Sequence, residues 1–126
     1  MDTNKKKMSE FILLFRMDIK TKEVQPTPEQ MKVYMEQWQD WIDGIAAQDK
    51  LAIGGNHLSS EGRVISPGNV VTHEPFSEIK VSVAGYIVIR AENFDEAINI
   101  AKDCPILNGE GNSVEVRKVD ARDNNS

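Results

Sequence analysis

Two short runs, Phe11-Ile12-Leu13-Leu14-Phe15 and Gly85-Tyr86-Ile87-Val88-Ile89, are apolar in a way that few chain segments are. Side chains alternate across a β-strand, so a half-exposed strand alternates apolar and polar residues. These runs do not alternate. Each reads as a strand covered on both faces, and each is followed by a segment that reads as a helix. After the first comes Thr27-Pro28-Glu29-Gln30, with a capping threonine, a proline suited to the first helical position and a glutamine three residues past the cap. Met31, Tyr34, Met35, Trp38, Trp41, Ile42 and Ile45 then recur at helical spacing, through Gln48. After the second run, Asn93 is the expected cap, and Asp95 and Glu96 complement the helix dipole. Phe94, Ala97, Ile98, Ala101 and Cys104 form the expected apolar face, and Pro105 ends the helix.

Two more strands complete the pattern. Leu51-Ala52-Ile53-Gly54-Gly55 runs into His57-Leu58, and its paired glycines signal a bulge or a close approach to the backbone. Val114-Glu115-Val116-Arg117-Lys118-Val119 alternates and reads as an edge strand. Val64-Ile65-Ser66 and Val70-Val71-Thr72 flank the turn residues Pro67-Gly68-Asn69 and read as a small hairpin extension. The order is β-α-β-β-α-β. Right-handed crossovers then place both helices on one face of a four-stranded antiparallel sheet, an α+β ferredoxin-like fold. The first and third strands are central in that topology.

Two helices cover one sheet face only. The other face still carries large apolar side chains, a patch of roughly several hundred Å² that monomers rarely leave wet. The expected partner is a second copy, giving a homodimer through the open sheet face. The alternative is a monomer whose open face takes a ligand.

At 126 residues the chain reads as one domain, residues 9–119, between a polar, disordered tail at 1–8 and a polar tail at 120–126. A net charge of −5 argues against nucleic-acid and anionic-membrane partners, which call for a basic face. The single cysteine excludes an intramolecular disulfide and fits a reducing compartment. No apolar run approaches the ~20 residues of a membrane span, nor is there a signal-peptide core, so the expected location is the cytoplasm. No phosphate loop, dinucleotide glycine pattern, nucleophile elbow or metalloprotease motif occurs, so no cofactor is expected. The two histidines, far apart and without carboxylates at ligand spacing, do not make a zinc site.

The catalytic candidates are His57, His73 and Glu78. His57 follows the paired glycines and is placed to line a cleft between the sheet and the first helix. His73 lies with Glu74 and Glu78 in a polar turn, where a carboxylate would orient an imidazole as a general base. Each has a plainer reading, a histidine bonded to backbone and a solvated turn. Alternation also sends His73 and Glu74 to opposite sides. The ligand-binding candidates are Trp38, Tyr86, Arg16 and Tyr34. Trp38 is the expected wall of an aromatic pocket, with Trp41 as core. Arg16 is placed to put charge at the pocket mouth, or else is a solvated strand end. Cys104 reads as an inert core thiol.

Taken in order, these pieces resemble a known family. Phe11–Phe15, Leu51–Leu58, Pro75-Phe76-Ser77-Glu78-Ile79-Lys80, Gly85–Ile89, Asp95-Glu96-Ala97, Cys104-Pro105 and Val114–Arg117 are similar to the YCII-related family, specifically its DGPF-type branch. The resemblance covers about residues 9–119 and implies the dimeric α/β-barrel variant of the ferredoxin-like fold. It implies no assigned activity. The histidine that shorter members carry on the first helix falls here at Gln37 or Trp38, and the first two signature residues are His73 and Glu74. The expected function is binding of a small organic molecule between the sheet and the first helix. The alternatives are acid–base catalysis through His57 or His73, and a non-enzymatic dimerisation or accessory module.

Overall fold

The computed structural model describes residues 8–18, 27–58, 62–72 and 81–120. The elements follow in the expected order. They are β1 (Ser9–Asp18), α1 (Pro28–Ala47), β2 (Leu51–His57), β3 (Val64–Ser66), β4 (Val70–Thr72), β5 (Val81–Ala91), α2 (Phe94–Ala101) and β6 (Ser113–Lys118). The main sheet is antiparallel with order β2-β5-β1-β6, while β3 and β4 form a separate two-stranded hairpin. This is the α+β, ferredoxin-like arrangement that the strand and helix order implies, with β1 and β5 at the centre.

The register explains why the central strands are apolar on both sides. Phe11, Leu13 and Phe15 lie opposite Ile89, Ile87 and Gly85, and opposite Lys118, Val116 and Val114 on the other flank. Phe11, Leu13, Phe15, Ile87 and Ile89 are buried together with Trp38, Ile45, Ala97, Ala101, Cys104 and Ile106, so this is the face under the helices. Ile12 and Leu14 pair with Val88 and Tyr86 on the outer face.

Local chemistry sets the helix ends. The Thr27 hydroxyl accepts the Gln30 N–H at 3.1 Å, and the Gln30 side chain accepts the Thr27 N–H at 2.9 Å, a closed capping box. The Asn93 side chain accepts the Glu96 N–H at 2.9 Å and starts α2. That helix is shorter than its apolar pattern suggests. It ends at Ala101, and Cys104 then opens a 3-10 turn over Pro105–Asn108 that buries Pro105 and Ile106. Of the residues expected on the buried face, Phe94 sets its ring edge-on against Phe11 at 5.0 Å yet stays 46% exposed, and Ile98 is 39% exposed. Ala97 and Ala101 of α2, and Cys104 just beyond it, do face the core.

The apolar stripe of α1 is likewise narrower than its spacing suggests. Trp38 and Ile45 are buried, Tyr34, Trp41 and Ile42 pack at the margin, and Met31 and Met35 remain exposed.

Candidate functional site

The polypeptide folds around a gap at the edge of the sheet. In β2 the ladder to β5 runs Ile53 to Val88, then resumes at Asn56 to Tyr86 and His57 to Gly85, leaving Gly54 and Gly55 out of register. Gly55 takes the left-handed conformation, with φ of 66°. A Cβ there would sit 1.6 Å from the Tyr86 carbonyl oxygen, so this position admits glycine alone. Gly54 differs: a Cβ there would meet nothing within 4 Å.

The space facing Gly54 is a cavity of about 300 Å³ between β2 and α1. Met35, Trp38, Gln39 and Ile42 supply its helix wall, Phe15 and Ile87 its floor, and Gly54-Gly55-Asn56-His57 its edge. Trp38 is 6% exposed and anchors an aromatic cluster. Its ring meets Phe15 edge-on at 4.9 Å, Trp41 at 5.6 Å and His57 at 5.4 Å. Such perpendicular contacts fix ring orientation beyond what area burial does. Trp38 Nε1 is buried and makes no hydrogen bond of standard geometry among the described residues.

The sequence candidates are distributed as follows. His57 and Trp38 come together at the cavity. Tyr86 borders it through the backbone that Gly55 approaches, because its side chain shares the outer face with Leu14. Arg16 lies on the outer face, away from the cavity. Its guanidinium donates to Glu115 through Nε at 2.9 Å and Nη2 at 2.8 Å, and Arg117 flanks the same carboxylate. Tyr34 borders a separate shallow groove with Glu29, Gln30, Val33 and Gln37. Burial raises the Tyr34 phenol above its ordinary pKa, the nearby Trp38 N–H pulls weakly the other way, and Cys104 adds a small upward push. His73 and Glu78 lie outside the described residues. The ring contact described for His57 is with Trp38.

Sequence reasoning assigned Trp41 to the core and missed its second role. Trp41 is half-buried and its Nε1 donates to the Ile100 carbonyl at 3.0 Å, tying α1 to α2. It borders a groove of about 630 Å³ between the helices, lined also by Asp40, Gly44, Lys50, Glu96 and Asp103. Lys50 and Glu96 are ion-paired across it. This groove is the larger space, and its polar members are the charged Asp40, Lys50, Glu96 and Asp103 together with Gln48 and Asn99. Aromatic side chains, which ligand sites favour, are denser at the cavity by Trp38, where Phe15, Trp38 and the His57 imidazole meet, than in the groove, where Trp41 stands alone. Only Gly44, unremarkable in a helix pattern, signalled the groove: a Cβ there would meet nothing within 4 Å.

Cys104 is 2% exposed, and burial pushes its thiol up to about 12. It is a packing residue. Among the described residues no group of three or more His, Cys, Asp or Glu is arranged to hold a metal ion, and no helix is long and apolar enough to cross a membrane.

No curated protein matches the chain. The YCII-related domain matches it over residues 11–120, from the first core phenylalanine of β1 to just past β6. That span takes in the sheet from the third residue of β1 onward, both helices and the cavity, and the chain belongs to the YCII-related family.

Proposed function

We infer that the protein binds a small organic molecule in the cavity between β2 and α1, and that it does so as a homodimer. The observation that carries the reading is the Gly54–Gly55 bulge opposite Trp38. Sheet edges are ordinarily closed by side chains. Here a residue that must be glycine bends the strand, a second glycine leaves the space empty, and a buried tryptophan forms the opposite wall. Pockets of this kind, apolar with a few polar groups at one rim, are where small ligands are held.

The dimer reading rests on the outer sheet face. Ile12, Leu14, Tyr86 and Val88 form its centre by register, and Ile53 beside them is 52% exposed. A second copy of the same face covers these side chains, as in a dimeric α/β-barrel. Pro75-Phe76, retained from the DGPF signature, supports membership of that branch. The single cysteine supports a cytoplasmic location.

A thermal-shift screen of the full chain against a library of small metabolites tests the binding reading. Hits are repeated on Gly54→Leu, whose side chain fills the cavity. The reading expects hits whose stabilisation disappears in Gly54→Leu. Hits that stabilise both proteins equally would place binding elsewhere and end it.

A further inference from the structure

If the cavity is a binding site, as inferred above, the chemistry of its wall narrows what it takes. Its described lining is Phe15, Met35, Trp38, Ile42 and Ile87 as apolar surface, with Gln39 and His57 as polar side chains, while Asn56, paired with Tyr86 on the outer face, borders it through the backbone. Gln39 already donates to Asp43 at 2.8 Å. No Asp, Glu, Lys or Arg is among those lining residues. A charged ligand would leave water without meeting an opposite charge, which is strongly unfavourable. Charged ligands find counterions instead in the groove between the helices, where Asp40, Lys50, Glu96 and Asp103 stand.

Size and shape narrow it further. A dry cavity of about 150 Å³ holds a single benzene ring. The 300 Å³ here is twice that and is bordered by Trp38, Phe15 and His57, with Phe15 and His57 each set edge-on to Trp38, so that a flat guest meets aromatic edges there. Apart from Gln39, whose amide donates to Asp43, and the Trp38 N–H, the polar features are gathered at one rim. The peptide units of Gly54 and Gly55 stand outside the β2–β5 ladder, and His57 adjoins them. Such a rim matches one hydrogen-bonding group on an otherwise apolar molecule.

We propose that the cavity binds an uncharged molecule of one or two aromatic rings, with its ring against Trp38 and a single neutral polar group, such as an amide, carbonyl or hydroxyl, at the Gly54–Gly55 bulge.

Three matched probes test this: naphthamide, which is neutral, naphthoate, an anion, and naphthylmethylammonium, a cation. Their affinities are measured by ligand-observed NMR titration near neutral pH, on the wild-type chain and on Gly54→Leu. Met35→Trp, which fills the cavity from the exposed helix side, serves as a second blocking variant if Gly54→Leu folds poorly. Naphthamide is expected to bind at least about tenfold more tightly than either charged probe, and to lose at least about tenfold in the blocking variant. If a charged probe matches or exceeds naphthamide and is lost in the blocking variant, the neutral class is wrong while the cavity remains the binding site. If no probe binds, or binding is the same in wild type and blocking variant, both the class and the cavity reading fall.

Discussion

Gly54 and Gly55 are adjacent and chemically identical, and their surroundings make them opposites. Gly55→Ala forces a Cβ into the Tyr86 carbonyl at a left-handed φ, so it should cost at least about 2 kcal/mol in a denaturant titration. Gly54→Ala enters open space and should change stability by less than about 0.5 kcal/mol, or raise it slightly by restricting the unfolded chain. Equal losses at both positions would mean that the bulge is not what shapes β2 there. Cys104 gives a pH prediction. Its thiol ordinarily titrates at 9.0 and in the folded protein at about 12, so the folded state keeps a proton that the unfolded chain releases. Its contribution to stability is therefore intact below pH 9 and is lost as pH rises from 9 towards 12. Cys104→Ala should flatten that part of the stability–pH curve, and the native thiol should react with a disulfide reagent only as fast as the protein opens.

At the scale of elements, the sequence carried the order of strands and helices because periodicity and caps are local signals. The Thr27–Gln30 box is an example, and Thr27→Ala should cost about 1 kcal/mol, read as a lower midpoint with unchanged slope. The hairpin was legible for the same reason: Gly68 and Asn69, with φ of 87° and 64°, take the turn conformations that glycine and asparagine tolerate. How far each helix sinks into the sheet was not legible. Phe94 and Ile98 belong to an apolar helical pattern, yet α2 is only eight residues long and buries Ala97 and Ala101, while Phe94 reaches Phe11 from the margin and Ile98 stays exposed. The two tryptophans exchanged their expected emphasis for a related reason. They are three positions apart, so both touch Phe15, but only Trp38 faces β2 while Trp41 turns towards α2 and bonds to Ile100. The cavity itself was foreshadowed by His57, the paired glycines and Trp38. The opposite placement of Arg16 follows from strand alternation, with Arg16 and Glu115 meeting across β1 and β6 on the outer face.

For the whole molecule, the sheet presents two faces of different character. Its inner face and edge frame the cavity, and its outer face is the proposed contact with a second copy. Light scattering of the eluting protein should give twice the 14.2 kDa chain mass, and Leu14→Asp should give a monomer that keeps its far-ultraviolet spectrum. A wild-type monomer at micromolar concentration would contradict the dimer while leaving the cavity untouched. The cavity has its own reporter, because the chain has two tryptophans and each borders a different space. Their indole N–H signals are assigned in a proton–nitrogen NMR spectrum by Trp38→Phe and Trp41→Phe, and naphthamide is then titrated in. The Trp38 signal and the amides of Gly54 to His57 are expected to move most, and the Trp41 signal, whose ring touches Trp38 but whose N–H is held by Ile100, to move less. A titration that moves Trp41 and leaves Trp38 where it was would contradict the cavity reading.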